Sequence, residues 1–133
     1  MMSFIKRFYL VFCLFLFSCS SDSPPSVYFV DLKDGDSVTN PISLEFGVNG
    51  MKVEPAGRIT TGYGHHHLLI NQESVIEGAV VPSDKNHIHF GLGQKKATIE
   101  LEQGEHILTL QFADGLHQSY GEKMSKTINI LVE

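Results

Sequence analysis

Five of the seven histidines in this chain fall in two short clusters, His65-His66-His67 and His87-Ile88-His89. Each cluster lies in a stretch patterned as a β-strand. Successive strand side chains point to opposite faces, so His65 and His67 share one face and His87 and His89 share another. An H-x-H pair on a strand sets two imidazoles side by side, and two such pairs could furnish a full nitrogen set for Zn²⁺ or Cu²⁺. On the first strand His66, Leu68 and Ile70 form the inward set, which turns His65 and His67 outward. On the second, Ile88 and Phe90 face inward, and His87 and His89 outward. If the two strands are antiparallel neighbours, the outward imidazoles form a two-by-two patch with opposed Cβ atoms about 5 Å apart. In a strict seven-strand sandwich they would lie in opposite sheets and meet only at the rim. His66, His117, Met51 and Met124 complete the candidate ligand set, and the thioethers would bias the site toward copper.

Other uses of these residues stand beside the metal reading. An imidazole can donate one N–H to a main-chain carbonyl while accepting at its other nitrogen, so the same row could brace the glycine-rich segment 50–64 and bind nothing. A small-molecule or glycan pocket is a third use. His106 follows a turn at the head of the Leu108, Leu110, Phe112 face and reads as a core residue. Asp114-Gly115 and Asp34-Gly35-Asp36 read as turns, the latter with too few oxygens in series for Ca²⁺. Catalytic signatures are missing: there is no G-x-S-x-G, no HExxH and no cysteine nucleophile beyond the N-terminal segment. The chain does not read as an enzyme.

The elements that must position the histidines are β throughout. Ile42, Leu44, Phe46 and Val48 alternate with Ser43, Glu45 and Gly47, and Leu108, Leu110 and Phe112 alternate with Ile107, Thr109 and Gln111. Val27–Val30, His65–Asn71, Val75–Val81, His87–Phe90, Ala97–Leu101 and Thr127–Val132 supply further strands, with no helical period between them. About seven or eight short strands separated by turn signals predict an all-β, immunoglobulin-like two-sheet sandwich over 27–133. In that topology the connections 50–64 and 113–124 lie at one end, which would gather His117 and both methionines beside the clusters.

The N-terminus reads as a targeting segment. Lys6 and Arg7 precede an apolar run, Phe8–Phe17, that ends at Ser18-Cys19. This is a secretory signal over 1–18, too short to span a bilayer. Leu16-Phe17-Ser18-Cys19 resembles the bacterial lipobox, in which Cys19 carries the lipid, and Ser20 resembles the outer-membrane sorting type. Segment 19–26 would be the lipidated cysteine and a proline-bearing tether. The expected place is the bacterial cell envelope, as an outer-membrane lipoprotein facing the periplasm or the surface. With Cys13 removed and Cys19 acylated, disulfides and thiolate zinc sites are excluded. Ten basic residues less Lys6 and Arg7 leave eight against fifteen acidic ones, a net charge of −7 that argues against nucleic acid and anionic lipid as partners.

Asp34-Gly35-Asp36 with Val38 and Pro41, Gly50-Met51-Lys52-Val53 with Pro55-Ala56-Gly57, Gly64-His65-His66-His67-Leu68-Leu69-Ile70, His87-Ile88-His89-Phe90-Gly91 and Leu110-Gln111-Phe112-Ala113-Asp114-Gly115 together resemble domain-of-unknown-function family 4399. The resemblance spans nearly all of 27–133 and implies a secreted bacterial domain, with no activity to carry over. The residues therefore lead to a lipid-anchored envelope domain binding copper or zinc as a carrier, buffer or sensor. The alternative is a structural or interaction domain recognising a protein or glycan. Imidazole ligates only when neutral, so metal binding is expected to weaken below about pH 6.

Overall fold

The computed structural model describes residues 23–133. The signal segment 1–18, Cys19 and the first part of the tether lie outside the described residues. Among the described residues nine strands form: β1 (Ser26–Phe29), β2 (Asp36–Val38), β3 (Ile42–Asn49), β4 (Lys52–Val53), β5 (Tyr63–Ile70), β6 (His87–His89), β7 (Lys96–Ile99), β8 (Gly104–Ala113) and β9 (Ser125–Val132). A 3₁₀ turn, Glu122–Met124, leads into β9.

The period-two alternation becomes two facing sheets. One has the order β1-β3-β7; the other has β2-β9-β8-β5, with the far edge of β5 shared by β4 near its start and β6 near its end. The grouping follows the immunoglobulin partition of A-B-E against C-F-G. Val27, Phe29, Ile42, Leu44 and Phe46 from the smaller sheet meet Leu68, Leu108, Leu110, Phe112, Ile128 and Ile130 from the larger one in a single core. The expected all-β sandwich is what forms. The count rises to nine because β2 and β4, three and two residues long, are too short to show a period. Val75–Val81 is not a strand: it crosses the outer face of the larger sheet as a loop, touching Gln118 by an isolated bridge at Val80.

That loop matters to the histidines. The main-chain N–H of Val75 donates to Gln111 Oε1 at 3.1 Å, Ser119 Oγ donates to the Val75 carbonyl at 2.7 Å, and Thr109 Oγ1 donates to the Gln72 carbonyl at 2.9 Å. Beneath this cover Leu69, Val81 and Ala113 form a second, smaller apolar cluster, with Val75 packed on it. Outward-pointing side chains of β5 are thereby buried rather than solvated.

Candidate metal centre

His65 and His67 sit on the outer face of β5, and both are buried, 0% and 1% exposed. β6 runs antiparallel to β5 in the same sheet, with His67 directly opposite His89 and Leu69 opposite His87. Of the two arrangements open to the sequence, neighbouring strands is therefore the one that forms. The same register corrects the two-by-two patch. It offsets the pairs by two residues, so His65 faces the Gly91 end of β6 and His87 lies over Leu69. His87 instead pairs with Asp84, Nδ1 to Oδ1 at 2.8 Å.

His117 takes the position that sequence reading gave to His87. After β8 the chain reverses through Asp114–Gln118, closed by the Ala113–Ser119 bridge. Asp114 Oδ1 accepts the main-chain N–H groups of Leu116 at 2.8 Å and Gln118 at 3.0 Å. His117 holds a left-handed backbone, φ 67°, which is uncommon for a residue with a side chain. That turn tips its ring back over β5. Gly115 makes the turn possible, because a Cβ there would fall on the Arg58 carbonyl oxygen.

Ligating atoms of His65, His67, His89 and His117 lie within 4.8 Å of one another. His65 Nε2 is the hub: His67 Nε2 is 3.0 Å away, His89 Nε2 3.1 Å and His117 Nδ1 3.2 Å. A neutral ring nitrogen offers one in-plane site, either a proton or a lone pair. It can therefore satisfy one of these three contacts as a well-aligned hydrogen bond. The remaining nitrogens face each other with nothing between them to share, an arrangement that a cation relieves. Nitrogens bound at 2.0–2.1 Å to a tetrahedral zinc stand about 3.3 Å apart, close to the three contacts of His65, and the group as a whole, spanning 4.8 Å, has to draw in slightly for all four to meet one ion.

The electrostatics favour the ligating form. Burial pushes His65 down to about 4, helped by the neighbouring rings of His89 and His117 and opposed by Asp114. Burial likewise pushes His67 to about 3, with His65, His89 and His117 adding to it. His89 is lowered by burial and then by His117. These rings are neutral at pH 7, as metal ligation requires. Their polar contacts are with one another rather than with main-chain carbonyls, which removes the bracing use for this group. The Nδ1 atoms of His65 and His67 are buried without partners, so packing rather than hydrogen bonding holds those ring planes.

The other candidates lie elsewhere. His66 points into the core, its ring centroid 5.5 Å from Phe46 and 5.0 Å from Phe112, with neither nitrogen hydrogen-bonded. Met124 is buried in the core cluster and Met51 packs against it, so neither thioether joins the outer-face group. His106 bonds to the Glu102 carbonyl at 2.8 Å and to Asn71 at 3.1 Å. Because an unpaired buried polar group is costly, His66→Phe is expected to stabilise the domain by about 1–3 kcal/mol in urea titrations and leave metal affinity unchanged.

One contributor to the site, and one buried carboxylate outside it, were not legible in the sequence. Gly91 follows β6 two residues after His89, and a Cβ there would stand 2.1 Å from His89 Cε1, so the His89 ring occupies the space a side chain would fill. Gly91→Ala is expected to displace that ring and weaken metal binding about as much as losing His89 itself, with stability little changed. The tight HFG spacing was the available signal. Glu54 follows β4, whose parallel pairing with Tyr63 and Gly64 no local pattern announces. Its carboxylate is buried, with Oε1 unpartnered and Oε2 3.6 Å from Arg58.

No curated protein and no solved structure matches this chain. A family model does match, over residues 44–133, which leaves Asp34–Pro41 outside the match and includes all four converging histidines. The chain belongs to the family described as a domain of unknown function, DUF4399.

Proposed function

We propose that this domain binds a divalent transition metal, zinc or copper, through His65, His67, His89 and His117. In this reading it serves as a carrier, buffer or sensor held at the bacterial cell envelope by a lipid on Cys19. The single observation that supports it is the contact of His65 Nε2 with three other imidazole nitrogens at 3.0–3.2 Å. An all-imidazole set without thiolate or thioether suits Zn²⁺ and Cu²⁺ and gives no preference for Cu⁺. Three ligands stand on paired strands, and the fourth on a turn closed by Asp114, so the set is largely preorganised. His89 is exposed and His117 half-buried, which leaves the metal an entry on their side.

The test is competition titration of the purified protein with Zn²⁺ and Cu²⁺ against a chromophoric chelator. Low-micromolar or tighter binding at one equivalent is expected. It should be lost in a His65/His67/His89/His117 alanine variant and kept in His87→Ala. Binding no tighter than that of a histidine-poor control would end the proposal.

A further inference from the structure

The net charge of this chain conceals its distribution. The end of the sandwich where β3 stops, β5 starts and β8 stops is the histidine pole, and it carries Lys52, Arg58, Lys95 and Lys123, all exposed. Two of the carboxylates there are turned inward: Glu54 is 8% exposed and Asp114 7%. Glu77 and Glu122 remain on the surface. At the opposite end stand Asp34, Asp36, Glu100, Glu102, Glu105 and Glu133, with Lys33 and Lys85 as the basic residues. The acidity of the domain is concentrated away from the histidines.

The same pole exposes large apolar side chains on three adjoining segments. Ile59 is 59% exposed, Leu92 80% and Leu116 50%. Those segments are tied together: the Ala56 N–H donates to the Gly91 carbonyl and the Gly57 N–H to the Gly115 carbonyl, each at 2.8 Å. Apolar tips among basic side chains are the composition of a surface that meets anionic headgroups and the top of the acyl layer. The chain also enters the domain here. Ser26 pairs with Asn49 at the end of β3, and Pro25 lies 3.1 Å from where a Cβ on Gly50 would stand. From Cys19 to Pro25 the seven residues reach at most about 25 Å, so a lipid on Cys19 holds this pole next to the bilayer.

We infer that the domain lies with its histidine pole on the surface of the membrane that anchors it, Ile59, Leu92 and Leu116 entering the interface and the basic side chains meeting anionic lipid. The orientation rests on the anchor reading above, and the two are separable. The chain contains no tryptophan, so a single introduced indole reports position cleanly. Leu92→Trp marks the histidine pole. Leu131→Trp, at a residue 41% exposed near the end of β9, marks the opposite one.

Each variant, expressed from the whole chain and purified after its signal segment 1–18 has been processed, is reconstituted in phosphatidylglycerol–phosphatidylcholine vesicles with brominated acyl chains. Flotation reports the anchor, and indole quenching reports the orientation. The expected result is flotation of both variants, with a blue shift and loss of most emission in the Leu92→Trp protein only. Lys52→Glu/Arg58→Glu/Lys95→Glu added to that variant abolishes the quenching while flotation persists. Floating protein whose Leu92→Trp indole stays unquenched, or equal quenching in the two variants, overturns the orientation and leaves the anchor standing. Failure to float overturns both, since neither lipid nor pole then holds the protein to the vesicle.

Discussion

Replacing His65 by alanine is expected to lower Zn²⁺ or Cu²⁺ affinity by more than about a hundredfold. Loss of a residue that only supports a ligand typically costs about ten- to a hundredfold, and His65 is the hub that the other three nitrogens contact. Thermal unfolding gives a second readout. Metal at a hundred times its Kd stabilises the folded state by about 2.7 kcal/mol, a rise of roughly 10 °C for a domain of this length. That rise should vanish in His65→Ala and persist in His87→Ala, because the β5–β6 register seats His87 over Leu69, outside the group. Equal losses in the two variants would mean that histidine number, rather than geometry, governs binding.

Acid should unfold the metal-free domain well above the pH at which carboxylates titrate. His65 and His66 are held down to about 4 and His67 to about 3, chiefly by burial. In the unfolded chain the same rings take up protons near pH 6.5. Below that value the unfolded state binds more protons than the folded one, so stability falls as pH falls, from about 6.5 until the folded groups titrate near 4. Above about 7 these rings contribute no slope. His66 alone, fully buried, accounts for about 3 kcal/mol over that window, a large share of an ordinary domain's 5–15 kcal/mol. Urea midpoints measured from pH 8 to 4 should therefore be flat above 7 and drop steeply below 6. His66→Phe should make that drop shallower. A midpoint unchanged between pH 7 and 5 would contradict neutral, desolvated imidazoles. Bound metal competes for the same nitrogens, so the loaded protein should release its ion within this window, with the buried rings extending binding below the pH 6 expected from free imidazole.

Strand periodicity, a property of neighbouring residues, was enough to sort His65 and His67 from His66 and to place Ile88 and Phe90 inward. It was enough for the two-sheet fold as well, since alternation of Ile42, Leu44 and Phe46 or Leu108, Leu110 and Phe112 has no other economical burial. Turn chemistry at Asp114-Gly115 was equally local. What distance along the chain conceals was decided by pairing. A two-residue offset between β5 and β6 selects His89 and rejects His87, and one left-handed residue in a turn 52 positions from His65 supplies the fourth nitrogen. Packing over the outer face of β5 turns side chains that alternation leaves in solvent into buried, neutral imidazoles. The same packing divides charges that composition can only sum, because register and loop docking fix the end of the sandwich on which each residue emerges.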